Sequence, residues 1–277
     1  MSPLSEVSLV TWREVRKTFQ SAKGGALAAI SVLGGGAASM LVTWVDRLRR
    51  EQLPPGLDLH EAQEQVFSRW YGQPGIGKAL AGCPYALWMM LIATLWLVPL
   101  LVALMTFDAI SGELQRGTAR FWVVRARRSS YLLGKALGAW LSVLAVSLAM
   151  NVLVWTTAAA VGRQNPLYIV EWGLRFFCVV VPVAAAWCGI AVLVGSQLKT
   201  PMLSLLTICA TFFGFWVVHV TALVTKHEWL SWAYPSAYDS LLLSPDPADV
   251  GRGLLGTGVI TALSVSAAII AFDRRDL

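Results

Sequence analysis

The chain has 277 residues, of which 56% are apolar and only 14% charged, with a mean hydropathy of +0.62. A soluble globular chain carries about 45–50% apolar and about 25% charged residues, so a soluble enzyme, a disordered binder and a collagen-like fibre are excluded. What remains is an integral membrane protein, whose net charge of +6 must be apportioned between two sides of a bilayer before it is read as affinity for nucleic acid.

Residues 1–23 predict an amphipathic helix. Leu4, Ser8, Thr11, Trp12, Val15 and Phe19 share one arc of a helical wheel, and Arg13, Arg16, Lys17 and Gln20 share the opposite one. Leu9 and Val10 interrupt the pattern. A basic helix of this kind lies in the membrane interface ahead of the first span.

Six windows then meet the need for about 20 apolar residues per spanning helix. They are 24–45, 84–107, 136–161, 176–196, 201–225 and 253–272, and none contains Asp, Glu, Lys or Arg. The first is too long for a signal-peptide core and no small-residue cleavage site follows it, so it reads as a retained span.

The connections differ. Segment 46–83 is long but not apolar enough to span; Asp58 and Glu61 form a capping pair that opens a short helix towards Trp70. Within it, Gly72-Gln73-Pro74-Gly75-Ile76-Gly77-Lys78 has the spacing of a phosphate-binding loop, but Ala79 stands where Ser or Thr would hold Mg²⁺. With no strand before it, the stretch reads as a Gly/Pro loop leading into the second span. Segment 108–135 is dense in Arg, whereas 197–200 is almost nothing. Segment 226–252 gathers Trp229, Trp232, Tyr234 and Tyr238 around Pro235, as a short helix or turn held at the interface would.

Six spans put both termini on one side. If that side is cytoplasmic, its segments hold 13 basic residues against six acidic ones, and the outer segments hold nine against ten. The positive-inside rule therefore predicts cytoplasmic termini.

The spans carry little chemistry. Cys83, Cys178, Cys188 and Cys209 form no C-x-x-C pair and read as small buried hydrophobes. His219, inside the fifth window, reads as a hydrogen-bonded residue of the helix bundle. The windows otherwise offer hydroxyls, Asn151 and Gln197 near an end, with no intramembrane acid or base for ion coupling, no metal-ligand cluster and no nucleophile–base pair. If the protein transports, the work comes from a partner.

That partner is suggested by the run Phe107-Asp108-Ala109-Ile110-Ser111-Gly112-Glu113-Leu114-Gln115-Arg116-Gly117-Thr118, which continues through a basic segment to Gly134-Lys135. It resembles the D-x-x-x-G-E-x-x-x-G-T signature that follows the second span in ABC-2 type permeases, the membrane subunits of ABC exporters. The run Tyr234-Pro235-Ser236-Ala237-Tyr238 resembles that family's outer motif, and Phe272-Asp273-Arg274-Arg275-Asp276-Leu277 its usual ending. The basic segment departs from the family in having Ala126-Arg127-Arg128 where Pro is common.

The resemblance, which covers essentially the whole chain, implies an all-α permease of six transmembrane helices with an N-terminal elbow helix. Trp12, Arg13, Val15, Arg16, Lys17 and Phe19 would belong to the elbow. A coupling helix between the second and third spans would contact the ATPase through Asp108, Gly112, Glu113, Arg116, Gly117, Thr118, Arg120, Arg125, Arg127, Arg128, Gly134 and Lys135. The chain itself would be non-catalytic. It would act as a dimer, or beside a related permease, in a bacterial cell membrane, with two ATPase subunits that bind ATP and Mg²⁺. The spans would form the export path. The alternative is a non-transporting component that drives assembly of an envelope machine, such as a pilus, gliding or metallocentre-maturation system.

Overall fold

The computed structural model describes residues 2–52, 59–119, 121, 127–162 and 165–274. These are helical almost throughout, and no strand occurs among them. Helix α1 (Pro3–Gln20) is followed by α2 (Ala22–Gln52), the short α3 (Leu59–Tyr71) and α4 (Pro74–Leu80), then α5 (Tyr85–Thr106). After α6 (Ser111–Gln115) come the long α7 (Arg128–Gly162), α8 (Pro166–Gln197) and α9 (Pro201–Thr225). Short α10 (Glu228–Ser231), a 3₁₀ turn (Pro235–Tyr238) and α11 (Asp239–Leu242) lead into α12 (Pro247–Asp273). The six spans are α2, α5, α7, α8, α9 and α12, all long and apolar enough to cross a bilayer. The protein is an all-α, multi-pass membrane protein.

Helix starts follow local chemistry. Pro occupies the first turn of α1, α4, α8, α9 and α12, where its missing N–H leaves no bond unmade. Asn165 Oδ1 accepts from the Leu167 N–H at 3.0 Å and Asp246 Oδ1 from that of Ala248 at 2.9 Å, capping α8 and α12.

Several helices outrun their apolar windows. Helix α7 begins at Arg128 rather than 136, α8 at Pro166 rather than 176, and α12 at Pro247 rather than 253. A 35-residue helix such as α7 is about 52 Å long against a hydrocarbon thickness of about 30 Å, so polar turns continue the helix beyond the bilayer. One such turn in α8 holds the Arg175 guanidinium 4.9 Å from the Trp172 ring centre. The phosphate-loop look-alike is likewise no open loop: Pro74–Leu80 is helix α4, packed on α3 with Ile76, Gly77 and Leu80 buried. The capping residue expected for α3, Asp58, lies outside the described residues, while the helix itself is present.

The core is built around α8, whose spanning window is 61% buried, against 17% for α9 and for α12. Its centre is Trp187, fully buried, with its Nε1 donating to Ser236 Oγ at 3.2 Å and its ring edge-on to Phe212 and Tyr234. His219 does not join this network by the expected hydrogen bond. Its Nδ1 is buried without a partner, and the ring stacks on Tyr234 at 4.6 Å, exchanging a polar contact for an aromatic one. Two of the four cysteines also depart from expectation: Cys83 and Cys188 are buried, but Cys178 and Cys209 are exposed on the outside of their spans. In a bilayer an apolar thiol loses nothing by facing lipid.

A second, smaller core joins Val10, Ile110, Tyr131, Leu132 and Phe272. It ties α1, α7 and α12 to the turn before α6, at the end of the bundle that carries both termini.

Candidate functional site

The chain leaves α5 through two tight turns: the Ala109 N–H donates to Thr106 O at 3.1 Å and the Gly112 N–H to Asp108 O at 3.2 Å. Ser111 Oγ donates back to Phe107 O, and Thr118 Oγ1 reaches Glu113 O at 3.3 Å. Gly117 takes φ +67, a left-handed conformation that a side chain would strain. Ser111, Gly112 and Glu113 are buried, whereas Gln115, Arg116 and Gly117 are exposed. Gly112 sits beside Pro201, so the connection between the second and third spans touches the one between the fourth and fifth. The result is a compact knob with an exposed tip and a buried root.

Glu113 is the root. Its Oε1 lies 2.8 Å from Lys135 Nζ, and its Oε2 accepts from Tyr131 Oη at 2.9 Å. Lys135 Nζ also donates to Glu14 Oε2 at 2.5 Å. A second ammonium, Lys17 Nζ, stands 3.6 Å from Glu113 Oε1, within Coulombic but not hydrogen-bonding reach. Two carboxylates and two ammoniums thus balance. The side chains of Lys135, Glu113 and Glu14 are 2%, 5% and 7% exposed. Such a cluster is a weak source of net stability, because desolvation offsets its attraction; removing one member, however, strands a buried charge.

Three separate elements supply these groups: α1 gives Glu14 and Lys17, α6 gives Glu113, and α7 gives Tyr131 and Lys135. Helix α1 reaches them because α7 is bare where the two cross. A Cβ on Gly134 would lie 2.6 Å from Val10 Cβ, and one on Gly138 would lie 2.7 Å from Glu14 Cβ. Their spacing is the G-x-x-x-G pattern that lets helices approach closely. Thr11 Oγ1 donates to Gly134 O at 3.3 Å across the same contact.

The predicted elbow residues therefore divide differently from the two-faced wheel. A third face, Val10, Glu14 and Thr18, is buried, with Val10 and Glu14 against α7, which explains why Val10 broke the pattern. Trp12 and Phe19 are exposed on the bundle's outer surface, at 70% and 44%, and Val15 is half-buried. Arg13 and Arg16 are exposed, Arg16 Nε donating to Gln20 Oε1 at 3.0 Å. Lys17, grouped with them by the wheel, turns inward because Glu113 attracts it.

The other predicted residues fall in three places. Asp108 and Thr118 are half-buried at the foot of the knob. Arg128, Gly134 and Lys135, expected in the connection 108–135, belong to helix α7, where Glu14 and Glu113 neutralise the lysine. Arg128 Nη1 donates to the carbonyls of Phe272 and Asp273, at 3.3 and 2.8 Å, closing the C-terminal end of α12. Arg127 is exposed, and its N–H donates to Glu6 Oε2 at 3.1 Å, holding that carboxyl below the usual carboxylate range. Arg120 and Arg125 lie outside the described residues.

Sequence reasoning missed Glu14, Tyr131 and Gly138 as members of the site. The available signals were an acid at i+4 from Val10 and i−4 from Thr18, and the Gly134/Gly138 spacing. Among the described residues no group of three His, Cys, Asp or Glu stands together as a metal site.

A family model for the ABC-2 family transporter protein matches residues 9–277. The chain belongs to the ABC-2 transporter family. The match takes in both the α1 face and the knob, so the charge cluster of this ABC-2 protein lies wholly inside the family region. None of the curated proteins matches the chain.

Proposed function

We propose that this chain is the permease subunit of an ATP-driven exporter, working as a dimer with two copies of a separate ATPase beneath it. The observation that carries the reading is the knob after the second span. Its exposed tip, Gln115, Arg116 and Gly117, offers a docking surface, and its buried root is ionically bound to α1 and α7. A push on the tip is then delivered to a spanning helix instead of dissipating in a loop. ATP and Mg²⁺ belong to the ATPase, and this subunit is non-catalytic. The export path runs between two permease copies, along the second and fifth spans; the low burial of α9 in a single copy, 17%, fits a helix that a second copy covers. Both termini and the knob face the cytoplasm, as the charge count favours, and the membrane is the bacterial inner membrane.

The roles of tip and root separate in one experiment. The permease is co-expressed with its ATPase, and ATPase co-purification and ATP hydrolysis in vesicles are measured. Arg116→Glu should release the ATPase while leaving the melting temperature of the permease unchanged. Glu113→Gln should retain the ATPase but uncouple its hydrolysis from the permease. Wild-type behaviour of both variants would overturn the coupling role.

A further inference from the structure

We propose that Lys17 is an alternative counter-charge for Glu113, so that the knob has two ionic seats: one on α7 through Lys135 and one on α1 through Lys17. The inference rests on the coupling role given to the knob above, and it says how the knob moves without stranding its charge.

Two ammoniums address one carboxylate oxygen. Glu113 Oε1 lies 2.8 Å from Lys135 Nζ and 3.6 Å from Lys17 Nζ. The bonds are divided unevenly between them. Lys135 serves two acids, Glu14 at 2.5 Å and Glu113, whereas Lys17 Nζ is buried with no hydrogen-bond partner among the described residues. A buried ammonium with its N–H donors unspent is costly, and the cost falls once it takes a carboxylate of its own. If Glu113 passes to Lys17, Lys135 keeps Glu14 and each ammonium holds one acid. Charge balances in both seats.

The exchange is a short one. Lys17 has only to close from 3.6 Å to the 2.8 Å that Lys135 now keeps. Its side chain is 34% exposed, so the stem has room to turn, while that of Lys135, at 2%, is fixed. Glu113 stays tied to the bundle meanwhile. Its other oxygen, Oε2, accepts from Tyr131 Oη at 2.9 Å, and Tyr131 is fully buried. Pivoting about that bond, the carboxylate changes ammonium at Oε1 and keeps its tether at Oε2.

The positions of the four groups suit such a pivot. Glu14 and Lys17 stand one turn apart on α1, and Tyr131 and Lys135 one turn apart on α7. Glu113, on the short α6, lies between the two helices. Without Lys17 the same movement would draw a buried carboxylate away from its remaining ammonium, the change that buried charge pairs resist most. Lys17 is thus a positioning residue, which acts through Glu113.

The test uses the full permease co-expressed with its ATPase in vesicles, reading permease-dependent ATP hydrolysis and melting temperature in parallel. Lys17→Met removes the second seat. It should lower hydrolysis at least tenfold, the factor that about 1.4 kcal/mol represents and less than a charge-assisted hydrogen bond contributes. Lys17→Arg keeps the charge, and its longer fork reaches Oε1 outright. It should keep the wild-type melting temperature and still lose hydrolysis, because the knob then stays on α1. A lysine that only balances charge is replaced by Arg without loss, so wild-type hydrolysis in Lys17→Arg would overturn the proposal. In a Glu113→Gln background Lys17→Met should add nothing, since both act on one step; losses that multiply would overturn it as well. Wild-type hydrolysis in Glu113→Gln would sink the coupling role of the knob and this inference with it. Loss in Glu113→Gln beside wild-type Lys17 variants would sink this inference alone.

Discussion

Lys135 and Glu113 stand 22 residues apart in sequence and 2.8 Å apart in space, sealed from solvent with Glu14 on the lysine's other side. The pair fastens the connection after the second span to the start of the third. Because the contact is buried and ionic, a member is not exchanged for Ala at the modest expense of a surface charge.

Glu113→Ala should therefore destabilise the terminal end of the bundle by about 3–5 kcal/mol, the penalty for stranding a buried charge. Tyr131→Phe, which removes only one hydrogen bond to that carboxylate, should cost about 1.5–3 kcal/mol. Lys135→Met combined with Glu14→Gln should cost less than the sum of the single changes, since the members share one network. Melting curves of the purified permease in detergent check all three. Additive losses of under half this size would show that water reaches the cluster.

A second expectation concerns the crossing of α1 and α7. Gly134→Leu places a side chain where Val10 already lies, and overpacking of this kind costs about 1–3 kcal/mol. Helix α1 should lift from the bundle and lose protection from hydrogen exchange, while the spans stay intact. Val10→Ala in the same chain should restore part of the protection. An α1 equally protected in Gly134→Leu would mean that the helix is held by its lipid-facing residues alone.

The legible part of this structure was the part that depends on runs. Six uncharged apolar windows of about 20 residues identify six helices, because a helix is the structure that satisfies the backbone of such a segment within itself. The ends were harder. The third apolar window stops short of Lys135, and only the approach of Glu14, which the crossing at Gly134 and Gly138 permits, makes it a buried helical residue. A wheel of α1 sorts residues into apolar and polar arcs, and it has no place for a face that mixes Val10, Glu14 and Thr18 against protein. The signature Asp108-to-Thr118 located the knob but not which of its residues point inward.

Topology gives a third expectation. The charge distribution predicts that a reporter fused after Leu277 is cytoplasmic and that a tag near Gln63 is outside. Labelling of the Gln63 tag by a membrane-impermeant reagent in intact cells checks this. Labelling only after permeabilisation would reverse the orientation.

The opposite end of the bundle offers a pH-dependent residue. Burial pushes the Asp239 carboxyl up from its ordinary 3.8 to about 7, against a stabilising 2.7 Å bond from the Ser240 N–H, with Tyr71 and Tyr234 nearby. Between those two values the folded chain keeps a proton that the unfolded chain has lost. Stability from this group is thus full at acid pH, falls as pH rises towards about 7, and stays low above it. Asp239→Asn should flatten the dependence and raise the melting temperature above neutral pH. An unchanged pH profile in Asp239→Asn would assign the dependence to another group.

Trp187 tests the core itself. Trp187→Phe keeps most of the packing and loses the bond to Ser236, about 0.5–1.5 kcal/mol, whereas Trp187→Ala empties the site and should cost about 3–5 kcal/mol. The same melting assay separates them, and equal losses would mean that the indole nitrogen, not the ring, holds the core.

The partners of the charge cluster also leave the ribosome at very different times. Glu14 precedes Lys135 by 121 residues, so at about 5–20 residues per second it waits of the order of 10 seconds for its counter-charge. During that interval neither Glu14 nor Lys17 can enter hydrocarbon unpaired, and Leu4, Trp12 and Phe19 are the side chains that keep the nascent helix at the membrane surface. Closure of the cluster thus marks a moment in biogenesis: α1 docks only once the start of the third span has been made, so it waits for a helix synthesised well after it.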